Sequence, residues 1–362
     1  MMFLQPRNRR LHRKMIVRPD RNRFTGRRTS IAVAVTLLLP MLLAACGIGD
    51  DEEPASTEPE PVTIGLTFVP NIQFAPFYVA DALGYYEEAG LDVEFNHHAV
   101  GADQFGPLVS GQEDLLMASG DEVMQVRARD VPVVYVAVVY REYPVALIVP
   151  ADSDIESTAD ISGKSVGVPG EYGANWIGLL ALLDAAGLTT DDISVESVGF
   201  TQASALLSGH VEAVMGYVNN EPIQIDQAGT PVRTFPVSDV SPLVANGLVV
   251  TEEYLEERPE TVRAMIEATL RGVQYAIDNP EETVEIAKDY VPTLTDAEQE
   301  QTALDVLLAT LPLWEVESGG ELGYSDPARW EQMGDFLLEY GLLERPVDVD
   351  EVLNLDYLPE AS

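Results

Sequence analysis

Three short stretches bring together residues suited to gripping a small flat molecule without reacting with it. In the first, Phe68 to Phe74, the side chains Asn71, Gln73 and Phe74 follow Pro70. The second, Ser119 to Glu122, offers Ser119 and Asp121, and the third, Tyr217 to Pro222, offers Tyr217, Asn219, Asn220 and Glu221. Tyr140, Tyr172 and Trp176 add further rings. Amides and carboxylates read the N–H and C=O edge of a heterocycle, and aromatic side chains stack on its face. Glu221 is the strongest polar candidate, because a carboxylate accepts two hydrogen bonds from an amino-pyrimidine or from ring N–H groups. An anionic ligand would instead need donors. These stretches hold no Lys or Arg except Arg141 just beyond Tyr140, which leaves backbone amides of a helix starting near Gly173.

Several of these residues also have a plain structural explanation. Glu221 before Pro222 is a good first-turn residue opposing the helix macrodipole. Asn219 and Asn220 suit an N-cap, and Asn71 and Gln73 suit a turn. Trp176 and one or more of Phe74, Phe77 and Tyr78 fit a core, whereas Tyr172 is the more ready stacking residue. The pair His97-His98 points to opposite faces of a strand, which suits a solvated strand end better than shared metal ligation. CxxC, HExxH, GxSxG and P-loop patterns do not occur. No catalytic residue, metal site or cofactor is therefore assigned, and the chain is expected not to be an enzyme.

The elements that must position these residues follow from periodicity. Val62 to Thr67 reads as a strand, Ala75 to Leu83 as a helix with Tyr78, Val79 and Ala82 on one face, and Leu91 to Phe95 as a half-buried strand. A short helix over Asp103 to Val109 stops at Ser110-Gly111, before an apolar run at Leu115 to Met117, a helix over Glu122 to Arg129 and a buried strand over Val133 to Val139. The pattern then restarts at Val166 to Val168. LVSGQEDLLMASGDEVMQVRARDVPV from Leu108 matches LLSGHVEAVMGYVNNEPIQIDQAGTPV from Leu206, pairing Ser110-Gly111 with Ser208-Gly209, Asp114 with Glu212, Met117 with Met215 and Glu122 with Glu221. This repeat predicts two α/β lobes whose strand-end loops face a common space, where open α/β sheets bind ligands. Strands at Tyr143 to Val149 and Val232 to Phe235 are expected to be the two crossings between lobes. Beyond Pro236, a strand over Asn246 to Thr251 and helices over Pro259 to Asp278, Glu281 to Tyr290, Asp296 to Leu311 and Pro327 to Tyr340 are expected.

Composition separates the first 45 residues from the rest. Ten of the 21 Lys and Arg and one of the 60 Asp and Glu lie there, so the chain beyond carries a net charge of −48. Such an acidic surface excludes nucleic acid as a partner. The basic stretch and the apolar run Ile31 to Leu43 form the n- and h-regions of a signal peptide, too short for a comfortable membrane span. Leu43-Ala44-Ala45-Cys46-Gly47 resembles the lipobox of bacterial lipoproteins, which implies a lipid anchor on Cys46, the only cysteine. Arg27-Arg28 leaves Sec and twin-arginine export both open, and Met15 is an alternative start. Asp50 to Pro61 is a charged, Pro-rich spacer.

The runs FVPNIQFAPFYVADALGYYEEAGLDVEF, LVSGQEDLLMAS, ADISGKSVGVPG and GYVNNEP, in that order, resemble the bacterial type II periplasmic binding proteins over nearly all of Pro61 to Leu343. The branch is that of alkanesulfonate, thiamine-pyrimidine-precursor and riboflavin binders, and the first and last runs look more like the pyrimidine and riboflavin binders. The resemblance implies a Venus-flytrap fold, with two lobes of mainly parallel sheet flanked by helices and joined by two hinge crossings. It implies capture of a flat heterocycle by lobe closure and delivery to an ABC transporter permease, with a sulfonate or nitrate binder as the alternative. A pyrimidine-synthesising enzyme of thiamine formation shares the fold, but its relatives use a cysteine-rich motif that is missing after Cys46. The expected division is a signal peptide over 1–45, a disordered linker over 46–61, a first lobe over 62–147 and 234–345, a second lobe over 148–233 and a tail over 346–362. A monomer anchored on the extracytoplasmic face of the cell membrane is expected.

Overall fold

The computed structural model describes residues 59–99, 102–316 and 320–360. The leader, Cys46 and most of the acidic spacer lie outside the described residues. Those described form ten strands in two five-stranded sheets. The first half of the chain supplies β1 (Glu60–Leu66), β2 (Leu91–His97), β3 (Leu115–Ser119), β4 (Val133–Val138) and β5 (Val145–Pro150). It is followed by β6 (Ser165–Val168), β7 (Ser194–Ser197), β8 (Ala213–Tyr217), β9 (Val232–Pro236) and β10 (Asn246–Thr251). The strand orders are β2-β1-β3-β10-β4 and β7-β6-β8-β5-β9. In each sheet the first three strands run parallel, and the fourth, β10 or β5, is antiparallel to both of its neighbours. That fourth strand is in each case the one arriving from the other sheet.

The expected crossings are therefore misplaced. Val145 to Val149 and Val232 to Phe235 belong to β5 and β9 of the second sheet, and the chain passes between sheets over 139–144, which includes Tyr143, and over 237–245. The reason is that β5 lies between β8 and β9, buried over Val145 to Val149, so its continuous apolar run reflects a central strand.

Helices follow the repeat. The first lobe holds α1 (Ala75–Ala82), α2 (Tyr85–Glu88), α3 (Gly106–Val109) and α4 (Gly120–Arg127), and the second α5 (Gly173–Ala186), α6 (Gln202–Leu207) and α7 (Glu221–Gln227). Its backbone details recur as well. Gly111 and Gly209 both take φ of 68°, a left-handed value that L-residues with a Cβ adopt at a cost. Asp114 accepts from the Thr63 N–H at 2.8 Å, and Glu212 accepts from the Ser165 N–H at 3.0 Å, so each acid ties the start of its lobe's first strand to the loop before the third.

The remaining helices are α8 (Glu252–Glu257), α9 (Pro259–Asp278), α10 (Pro280–Ala287), α11 (Ala297–Trp314) and α12 (Pro327–Glu339). Of the apolar side expected along α9, Val262, Ile266, Leu270 and Val273 are buried, and Ile277, in the last turn, is half-buried. This face lies against α1, and Gly272 comes so close to the Pro76 carbonyl that a Cβ there would collide with it. Tyr86 of α2 shares a hydrogen bond with Thr269 of the same helix α9 at 2.8 Å. In α1, Tyr78 and Val79 are buried but Ala82 is exposed, because α1 is enclosed on all sides only from Ala75 to Ala80. No helix among the described residues is long and apolar enough to cross a membrane.

Candidate functional site

Two strand ends deliver acidic side chains to the space between the sheets. In the first lobe β3 runs directly into α4, so Ser119 ends the strand and Asp121 and Glu122 stand in the first helical turn. In the second lobe β8 ends at Tyr217, and a turn through Asn219 and Asn220 leads to Glu221, the first residue of α7.

Asp121 is fully buried. Its Oδ1 accepts a short hydrogen bond from the Ser119 hydroxyl, and its Oδ2 lies 3.4 Å from the Tyr143 hydroxyl. Tyr143 has one proton but a second acceptor, the Ala174 carbonyl of α5, at 3.1 Å. A proton on Asp121 would resolve this competition, and burial does push the Asp121 carboxyl well above its ordinary range. Glu122 is raised too, first by burial and then by the neighbouring Asp121 charge. Glu221 is raised by burial, against which work the Tyr217 N–H at 2.7 Å on Oε2 and the Asn220 amide at 3.2 Å on Oε1. The Tyr217 hydroxyl joins these groups: burial raises its pKa, and Glu122, Asp121, Tyr140 and Glu221 raise it further through their charges. Among the described residues no Lys or Arg forms an ion pair with Asp121, Glu122 or Glu221. Arg141, the one nearby cation noted in the sequence, turns its guanidinium to the Glu315 carbonyl at 3.0 Å.

Rings enclose the cluster. Tyr140 is buried, donates to the Gln73 carbonyl at 3.3 Å and meets Trp314 edge to face at 5.9 Å between centroids. Asn219, also fully buried, donates to Thr310 of α11 at 2.8 Å. Three buried polar atoms around the cleft have no hydrogen-bond partner: Asn219 Oδ1, Asn175 Oδ1 and Trp314 Nε1. Buried polar atoms cost stability when unpaired, and the Asn219 and Trp314 side chains both adjoin the Tyr140 hydroxyl.

The structure thus gathers Ser119, Asp121, Tyr140, Tyr217, Asn219 and Glu221, with Gln73 reaching them through its backbone. Asn220 is engaged locally, its Oδ1 accepting from Gln224 at 2.9 Å. Asn71 caps the turn Ile72–Phe74 by accepting from the Gln73 N–H at 3.0 Å. Phe74 is buried edge-on against His97, and Trp176 packs against the core. Tyr172 is 57% exposed and folds its ring over Gly170.

Four participants were absent from the sequence candidates: Glu122, Tyr143, Asn175 and Trp314. Glu122 had a signal, its match to Glu221 in the repeat. Trp314 had none, since it lies beyond the helix expected over Asp296 to Leu311, which in the structure runs on to Trp314 as α11. The histidine pair is corrected outright. His97 lies within hydrogen-bond distance of Tyr78 and Phe68, and His98 is buried against Glu113 at 2.6 Å, so neither stands at a solvated strand end. Among the described residues no group of three or more His, Cys, Asp and Glu is arranged to hold a metal ion.

A family model described as NMT1/THI5 like matches residues 71–283. The chain is 32% identical over 343 residues to a riboflavin-binding protein, RibY, of Chloroflexus aurantiacus, covering 90% of this chain and 97% of that one. It is 29% identical over 331 residues to a formylaminopyrimidine-binding protein of Halalkalibacterium halodurans, covering 88% and 97%. Among solved structures, the periplasmic aliphatic sulphonate binding protein SsuA of Escherichia coli superposes with a TM-score of 0.68 at 16% identity, over 84% of this chain and 95% of that one.

Proposed function

Because the chain belongs to the NMT1/THI5-like family, we propose that it is a substrate-binding protein that captures a flat, nitrogen-bearing heterocycle between its lobes without catalysis. The observation that carries this reading is the interlobe cluster itself. Three carboxyl groups, three tyrosines and an indole converge there, and among the described residues no Lys or Arg pairs with the acids. An edge of N–H or O–H donors would meet Asp121, Glu221 and the free amide oxygens of Asn175 and Asn219, while Tyr140, Tyr217 and Trp314 supply ring surface. Riboflavin and formylaminopyrimidine, which the two relatives are named for binding, are both molecules of this kind.

On this reading the protein is exported, tethered to the membrane through a lipid on Cys46, and hands its ligand to an ABC transporter permease when the lobes open. The sequence Leu43 to Gly47 supports the tether and the acidic spacer behind it supplies reach.

The experiment is to release and identify by mass spectrometry whatever small molecule co-purifies, with an absorbance scan for flavin. It is followed by calorimetric titration with riboflavin, a formylaminopyrimidine and ethanesulfonate. Binding of either heterocycle is the expected result. Tight binding of ethanesulfonate alone would sink the reading.

A further inference from the structure

The backbone hydrogen bonds of the two crossings mark where each passes from one lobe to the other. In the first crossing, the Val139 and Tyr140 amides donate to the Asn246 carbonyl of β10 at 3.0 and 2.8 Å, and the Arg141 amide donates to Leu313 of α11 at 2.8 Å. The Pro144 carbonyl already belongs to the second lobe, where it accepts the Val218 amide at 2.8 Å. Glu142 and Tyr143 lie between. In the second crossing, the Val240 and Ser241 amides fold back on the Val237 carbonyl at 3.1 and 2.9 Å, and Val237 packs against Gly178 of α5. From Leu243 onward this crossing follows the first lobe. The Val244 amide meets Met333 Sδ of α12 at 3.3 Å, and the Ala245 carbonyl accepts the Gly120 amide and the Tyr135 hydroxyl, both at 3.1 Å. Between Ser241 and Leu243 stands Pro242, which has no amide to be tied down.

One side chain reaches both of these breaks. Arg329 of α12 donates from Nη1 to the Arg141 carbonyl at 3.1 Å and from Nη2 to the Leu243 carbonyl at 3.3 Å. Its Nη2 also lies 3.5 Å from Glu142 Oε2. A guanidinium presents its donors in a rigid planar fork, so it can hold two backbone segments at one spacing. Helix α12 is itself anchored in the first lobe, where Trp330 meets Tyr135 of β4 edge to face at 4.9 Å and Gly334 lies against Met124 of α4.

We propose that Arg329 is a positioning residue for closure: it binds the first-lobe ends of both crossings together, so that the lobes turn about Glu142 and Tyr143 in one crossing and Pro242 in the other. This rests on ligand capture by lobe closure. Tyr143, whose hydroxyl donates to the Ala174 carbonyl across the cleft, then sits in the pivot itself, and the pivot adjoins the acidic cluster. Without the fork, turning spreads over 139–144 and 237–245, and closure has more backbone to order.

The test is hydrogen exchange read by mass spectrometry on the ligand-free wild type, Arg329→Gln, Arg329→Lys and Glu142→Gln. Amides in peptides over both 139–144 and 237–245 should exchange roughly tenfold faster in Arg329→Gln, the size expected from losing bonds to a charged donor, with α9 unchanged. Arg329→Lys keeps the charge without the fork and should loosen the crossings too, whereas Glu142→Gln keeps the fork and should match the wild type. If Arg329→Gln does not fold, Arg329→Lys decides by the same pattern. A purely structural role would speed exchange around α12 alone or throughout the first lobe. Either of those patterns, or unchanged exchange in one or both crossings, overturns the inference. Titration with riboflavin and a formylaminopyrimidine adds the functional readout, where Arg329→Gln should lose roughly fivefold or more in affinity, the cost of ordering about one further residue. Equal affinity despite loosened crossings would also overturn a role in closure. A wild type that binds neither heterocycle would end the functional reading and leave the exchange pattern to decide for Arg329.

Discussion

At the scale of single residues, Glu221 combines two duties that compete for the same oxygens. Oε2 accepts the Tyr217 N–H and Oε1 the Asn220 amide, yet each retains a lone pair that can accept a ligand donor. Replacing it by Gln leaves one acceptor where there were two and turns an amide NH₂ toward existing donors. A hydrogen bond to a charged group contributes about 1.5–3 kcal/mol, so Glu221→Gln should weaken heterocycle binding by roughly ten- to a hundredfold while the protein stays folded. An unchanged dissociation constant would remove Glu221 from the site. The buried carboxyls also fix a sign for stability against pH. Asp121, Glu122 and Glu221 are raised by burial, so the folded protein holds protons that the unfolded chain has released. Their contribution is fullest below the ordinary carboxylate range and is lost as pH rises, for Glu122 up to about 8. The melting temperature of Glu122→Gln relative to the wild type should therefore climb between pH 5 and 8 and then level off. A difference constant over that range would mean that Glu122 titrates normally.

At the scale of elements, the strand, helix and Ser-Gly punctuation of both lobes was legible because it is local: alternation, apolar runs and left-handed glycines are set by neighbours in sequence. The extents of β10 and α9 matched their patterns residue for residue. What sequence could not assign was pairing. The run at Tyr143 to Val149 looks the same whether it crosses between sheets or lies inside one, and only its position between β8 and β9 decides. The site shows the same division. Asp121, Asn219 and Glu221 were legible as polar residues at strand ends, whereas Trp314 and Asn175 enter the cleft through helix packing that no spacing records. Packing of that kind yields its own prediction at the α1 and α9 contact. A methyl group on Gly272 would meet backbone, the Pro76 carbonyl, not a side chain able to swing aside. Overpacking costs about 1–3 kcal/mol, so Gly272→Ala should lower the unfolding free energy by that amount in urea titration. It should also weaken ligand binding, because α1 follows directly on the Phe68 to Phe74 loop. A loss under about 0.5 kcal/mol, the range of ordinary surface changes, would show that the two helices are not in backbone contact.

For the whole molecule the question is what holds the lobes together. The bonds between them are few and scattered around the cleft: Tyr143 to Ala174 at its floor, Asn219 to Thr310 and Gln227 to Thr302 along α11, Tyr340 to Asp184 near α12, and the rings of Phe68 and Phe200 at 6.2 Å across the mouth. Each neutral hydrogen bond contributes about 0.5–1.5 kcal/mol net, and the formal net charge of −39 opposes any compaction. Closure on these contacts alone is weakly favoured, so ligand binding shifts the balance by adding contacts that exist only in the closed form. Thr310 tests this from outside the ligand's reach. It lies on α11, accepts the Asn219 amide and donates to the Val306 carbonyl at 2.7 Å. Thr310→Val preserves shape but leaves the buried Asn219 side chain with neither amide group paired inside the protein. The cost, about 1–3 kcal/mol for an unsatisfied buried group, falls on the closed form, because opening returns Asn219 to water. Ligand affinity should drop roughly five- to a hundredfold, and small-angle scattering should require more ligand to reach the same compact radius. Equal affinity in the two proteins would mean that the Asn219 bond to α11 takes no part in closure, and that the ligand's own contacts hold the lobes together unaided.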